Sequence, residues 1–170
     1  MARMISTVLL CALVTLSVGC GGNGRPALVT VRGKVTLNGA PLEGATVMFV
    51  RVPEKGVEFG RPSVGVTDAQ GEFTVSTYAE GDGLAVGKYL VGVEKRELIG
   101  DLPKDFNSEL ADQTRLRYKL IVPKTFRDPT TSGLSVDVSR KGLEPAVIEL
   151  SAEGAPEIET TGPVVNPSSA

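Results

Sequence analysis

A chain of 170 residues with 20 glycines and 11 prolines holds one globular domain plus appendages, and its wealth of Val and Thr points to β structure. The net charge is −2, with acids and bases interspersed, so there is no basic face of the kind a nucleic-acid partner needs. Histidine is absent, and the two cysteines, Cys11 and Cys20, lie in the first 20 residues. A mature domain lacking that leader has no disulfide, no Cys/His metal site and no His-dependent catalysis.

Residues 1–19 read as an export signal. Arg3 supplies the positive start, and Ile5 to Val18 is an uncharged run of 14 residues. Spanning a bilayer takes about 20 apolar residues, so the run suits a signal-peptide core better than a membrane helix. It ends at Leu16-Ser17-Val18-Gly19-Cys20, which resembles a bacterial lipoprotein lipobox. The motif departs from the usual one in carrying Ser17 three places before the cysteine, with Leu16 one place further back. The chemistry is alkylation of the Cys20 thiol by a diacylglycerol, then cleavage before Cys20. The plainer alternative is a secretory signal with an incidental cysteine. Cleavage removes Arg3 and no acid, taking the net charge from −2 to −3. Cys11 is an apolar filler of the run. Residues 20–27 have no packable pattern and form a flexible tether, rich in Gly21, Gly22 and Gly24. Two acyl chains at Cys20 make a firm anchor.

Val29 to Leu37 alternates apolar and polar residues, the period of a strand with one buried face. Asn38-Gly39 tolerates the positive φ of a tight hairpin turn, and a second strand follows at Thr46 to Val50. Val64 and Val66 mark a third strand. Asp68 to Gly71 fits a type I turn, and Phe73 and Val75 mark a fourth strand. Gly87 to Glu94 is a fifth, with Tyr89, Val91 and Val93 on one face. Glu97 to Thr130 is long for a connection. Lys104 to Gln113 has the spacing of a short helix, and Arg115 to Val122 that of an extended segment at a sheet edge, with a helix as the alternative. Leu134 to Val138 and Ala146 to Leu150 are the last strands. The remainder is rich in Pro, Gly, Ser and Thr and is expected to be disordered.

These units define an all-β protein, an antiparallel Greek-key-type sandwich of about seven strands. The expected organisation is a signal peptide over 1–19, a tether over 20–27, the sandwich over 28–151 and a disordered tail over 152–170. The segments VRGKVTLNGAPLEGATVMF, GVTDAQGEFTV and VGKYLVGVE resemble the carboxypeptidase regulatory-like domain, a transthyretin-like or prealbumin-like sandwich. The likeness is strong over Val29–Val93 and weaker through IVPKTFRDPTTSGLSVDV to Leu150. There it is similar to a variant found in small lipoproteins of planctomycete-type bacteria. The family implies structural roles for Gly33, Gly39, Leu42, Asp68, Gly71, Phe73 and Tyr89, and no catalytic residue.

The chemistry that remains open is thin. Asp68 to Glu72 offers two carboxylates, too few for a calcium loop unless Glu58, Glu80 or Asp82 converge on it. A serine nucleophile has no histidine base, and no supported Ser-Lys pair stands out. No glycine opens a helix after a strand to cradle a phosphate. Arg115, Arg117 and Lys119 alternate on one face, which reads as a solvated edge or as a patch for an anionic glycan or lipid headgroup.

The expectation is a non-catalytic protein of the cell envelope, without cofactor, held to a membrane through lipid at Cys20. Its domain faces the periplasm or the exterior and binds or scaffolds a protein or polysaccharide. One alternative is an accessory module of an envelope transport or secretion machine. Another is a transthyretin-like hydrolase, which the lack of histidine disfavours.

Overall fold

The computed structural model describes residues 25–54, 61–109 and 114–162. Two β-sheets share one core. The larger has five strands in the spatial order β12 (Gly142–Glu144), β11 (Leu134–Ser139), β8 (Gly87–Glu94), β4 (Thr46–Arg51) and β5 (Ser63–Val66), all antiparallel. The facing sheet holds β13 (Val147–Leu150), β2 (Arg32–Leu37) and β3 (Ala40–Pro41), with β6 (Glu72–Thr74) also paired to β2. Among the described residues only the β13–β2 ladder is parallel. Period-2 alternation turns Val47, Phe49, Val91 and Val136 of one sheet toward Val35, Phe73, Ile148 and Leu150 of the other, and all are buried. The protein is thus an all-β sandwich.

One side of the sandwich is closed. Val64 N–H donates to the Ser76 carbonyl (3.0 Å) and Ser76 N–H to that of Val64 (2.9 Å), so the chain leaving β6 covers the β5 edge. Phe73 fills the corner beneath. A Cβ added to Gly33 would stand 2.5 Å from the tip of its ring, and one added to Gly65 would stand 3.1 Å from the ring's side. These two glycines are slots for an aromatic ring, which is why they interrupt otherwise apolar strands.

Asn38 and Gly39 have φ of 51° and 81°, a primed turn that pairs Leu37 with Ala40. The expected long hairpin stops there. Pro41 lacks the N–H that would continue the ladder, Leu42 plugs the core, and Gly44 at φ 65° turns the chain away. Thr46–Arg51 therefore joins the opposite sheet, between β5 and β8. Asn38 has a second task. Its side-chain amide exchanges two hydrogen bonds with the backbone of Ala152 (3.0 and 2.9 Å), fastening the chain beyond β13.

A third sheet of three strands follows the sandwich: β9 (Arg96–Leu98), β10 (Leu116–Leu120) and β14 (Ile158–Thr161). It corrects two expectations. Within Arg115–Val122 the extended part is Leu116–Leu120, and as β10 it is the central strand of this sheet and not an edge. The tail is ordered through residue 162, because β14 pairs with β10 from Leu116 to Lys119. A four-residue strand with no apolar alternation was too weak a signal to be read alone. Residues 104–109 form turns and no α-helix, and the rest of the expected short helix, 110–113, lies outside the described residues, as do 163–170. A two-stranded pair, β1 (Leu28–Val29) with β7 (Leu84–Ala85), sits where the chain enters. A 3-10 turn at Lys124–Phe126 leads the chain over β8, where a Cβ on Gly92 would collide with the Arg127 carbonyl oxygen.

Candidate functional site

An open groove of about 940 Å³ lies on the outer surface of β13, β2, β6 and β5. The strand pleat sets its chemistry. Inward positions are taken by the core, so β2 presents Arg32 and Lys34 outward, β6 presents Glu72 and Thr74, and β5 presents Val64 and Val66. The register places Lys34 opposite Glu72 on one side and Val147 on the other. Val66 is 61% exposed and Val147 40%. Asp68 and Glu80 stand on the rim. The groove thus offers charges of both signs over an apolar floor, a surface suited to contact along an extended chain.

Asp68 and Asp82 are each held by local structure. Asp68 Oδ1 accepts the N–H groups of Gln70 (2.9 Å) and Glu72 (2.8 Å), and Gly71 N–H donates to the Asp68 carbonyl (2.9 Å). This stretch is the turn into β6. Gly71 sits at φ 74° with the Val35 carbonyl oxygen where a Cβ would be, 2.6 Å away. Asp82 accepts from the N–H groups of Thr77, Tyr78 and Ala79 (2.7–2.9 Å). Desolvation opposes its ionisation, but those donors together outweigh it and hold the carboxyl below its ordinary range. Ser76 lines the groove, and its Oγ accepts the Gly81 N–H (2.9 Å). Glu58 lies outside the described residues. Among the described residues no group of three or more His, Cys, Asp or Glu side chains could hold a metal ion.

A second polar constellation ties the third sheet to the sandwich. Arg127 donates to both carboxylate oxygens of Glu159 (2.9 and 2.7 Å), and its Nε lies 3.3 Å from Glu94. Lys124 and Arg96 also reach Glu159, at 3.6 and 3.7 Å. Arg96 in turn lies over the Tyr118 ring, 4.4 Å from its centre. The Arg127 hydrogen bond holds the Glu159 carboxyl below its ordinary range, and the Glu159 partner raises Arg127. Glu159 sits in the stretch expected to be disordered, so the sequence reading missed it. Arg117 and Lys119 are exposed on the opposite face of β10 and take no part.

Tyr89 buries its ring and donates its hydroxyl to the Ala85 carbonyl (2.9 Å), with burial raising its pKa. Cys20, the expected lipidation site, and Cys11 lie outside the described residues. No family model matches the chain, and no curated protein or solved structure is detectably similar to it.

Proposed function

We propose that this chain is a lipid-anchored, non-catalytic protein of the bacterial cell envelope whose sandwich, of carboxypeptidase regulatory-like type, binds or scaffolds a protein or polysaccharide partner. The observation that carries the binding role is the open groove, walled by Arg32, Lys34 and Glu72 and floored by exposed valines. The sequence Val18-Gly19-Cys20 supports the anchor. The described chain begins five residues later at Arg25, whose guanidinium packs 4.4 Å from the centre of the Tyr78 ring. Five extended residues reach about 18 Å, so an acylated Cys20 would keep this end of the domain close to the bilayer.

Two measurements test the reading separately. Cys20→Ser is expected to move the protein from the membrane to the soluble fraction or to leave its leader uncleaved. Membrane partitioning equal to wild type, with the leader removed, would refute the anchor. The pair Arg32→Glu and Lys34→Glu is expected to lose the partner recovered with wild type from native membranes. Unchanged recovery would remove the groove from the function. An accessory role in an envelope transport machine is the second reading, favoured if the recovered partner is a transporter or secretion component.

A further inference from the structure

The sandwich is closed on its β5 side and open on the other, and the open side has the features of a missing strand. The strand β13 is an edge. Its Ala146 and Leu150 carbonyls accept from Lys34 and Asn38 N–H groups of the β2 hairpin, both at 2.9 Å. Successive residues of a strand direct their backbone groups to opposite sides. Ala146, Ile148 and Leu150 therefore face β2, while the N–H and C=O of Val147 and Glu149 point away from it, with no backbone partner among the described residues. Alongside this edge runs a lateral cleft of about 580 Å³, whose apolar lining comes from Leu134 and Val136 of β11 and from Val147 and Ile148 of β13.

We propose that this edge is a docking site for an extended peptide segment of a partner protein, which adds as a strand beside β13. Two donors and two acceptors at a two-residue repeat are matched by another extended backbone, not by a sugar or a headgroup. The cleft then sets the side-chain pattern. Alternate residues of the incoming segment turn inward onto Leu134, Val136 and Ile148, and must be apolar. The others turn outward beside Val147 and Glu149. An exposed glutamate at the centre of the edge favours a lysine or arginine directly across it, because opposite charges stabilise such cross-strand pairs and like charges oppose them. The same glutamate disfavours pairing of β13 with a second copy of itself, which would bring two Glu149 side chains onto one face of a single ladder. An edge guarded by charge in this way remains soluble while it is unpaired.

The site is distinct from the anchor and meets the outer groove at Ala146 and Val147. The test uses the full chain solubilised in a zwitterionic detergent. Its probes are two end-blocked synthetic nonapeptides, one alternating valine with lysine and one alternating valine with glutamate. The valine–lysine peptide is expected to bind saturably, to shift the amide resonances of Val147 and Glu149, and to slow their hydrogen exchange. The valine–glutamate peptide is expected to bind about fivefold more weakly or worse, the upper range for a cross-strand charge pair. In Glu149→Lys, an exposed substitution that leaves the β2 ladder intact, that order is expected to reverse. Equal binding of the two peptides, or failure of the order to reverse, would overturn the proposal. So would undisturbed Val147 and Glu149 amides at millimolar peptide. Protection of those amides that grows with protein concentration alone would also overturn it, showing that a second copy occupies the edge.

Discussion

Gly33→Ala is the smallest change that should strain the core. Gly33 has no positive φ, so alanine fits its backbone and gains about 0.4–1 kcal/mol by restricting the unfolded chain. Its methyl group would nevertheless lie 2.5 Å from the Phe73 ring tip and 2.9 Å from Leu143. The ring has little room to retreat, being 3% exposed, 5.8 Å from the Phe49 ring centre and bounded on its other side by Gly65. Overpacking of a tight core costs about 1–3 kcal/mol, so the net loss should be about 1–2 kcal/mol. Phe73→Leu alone should cost about 1–2 kcal/mol through the cavity it leaves. Shortening the ring also clears the space the new methyl needs. The double variant should therefore be about 1 kcal/mol more stable than the sum of the two effects implies. Urea denaturation of the chain from Arg25 onward, followed by far-ultraviolet circular dichroism, measures all four corners of this cycle. Additivity within about 0.3 kcal/mol would show that Gly33 is not a slot for the ring.

At the primed turn, Gly39→Val should cost about 1–3 kcal/mol. A Cβ there meets nothing within 4 Å, so the whole cost is backbone strain at φ 81°. Lys34→Ala, on the groove wall, should cost less than about 0.5 kcal/mol in the same assay. Glu159→Gln should cost about 1–2 kcal/mol, since Glu159 and Arg127 are only 17% and 29% exposed and their bond is bidentate. Because the folded state holds the Glu159 carboxyl below its ordinary value of 4.5, its contribution is complete above that value. It is lost as pH falls through the lower folded value, so the acid limb of the stability curve should flatten in Glu159→Gln. Ending the chain at Gly154 removes β14, and should cost about 2–3 kcal/mol while exposing the amides of Leu116, Tyr118 and Leu120, which face it, to hydrogen exchange. Unchanged exchange there would mean that β10 does not depend on β14.

By itself, the sequence determined the class of the fold, the faces of its longest strands and the chemistry of its turns. Alternation at Tyr89, Val91 and Val93 reports which side is buried, and positive φ at Asn38-Gly39 is a demand those two residues meet locally. Such signals are carried by neighbours in the chain, so they are legible without a structure. The tertiary structure alone decided that Thr46–Arg51 crosses to the other sheet, that Leu116–Leu120 lies in the middle of a sheet and that Ile158–Thr161 is a strand. It also brought Arg127 to Glu159, 32 residues away, and left Val147 and Glu149 without a strand neighbour on one side among the described residues. Strand partners and open edges depend on which distant segments meet. A four-residue strand has too few apolar residues to announce its partner, so β14 becomes visible only once β10 and Arg127 are in place to receive it.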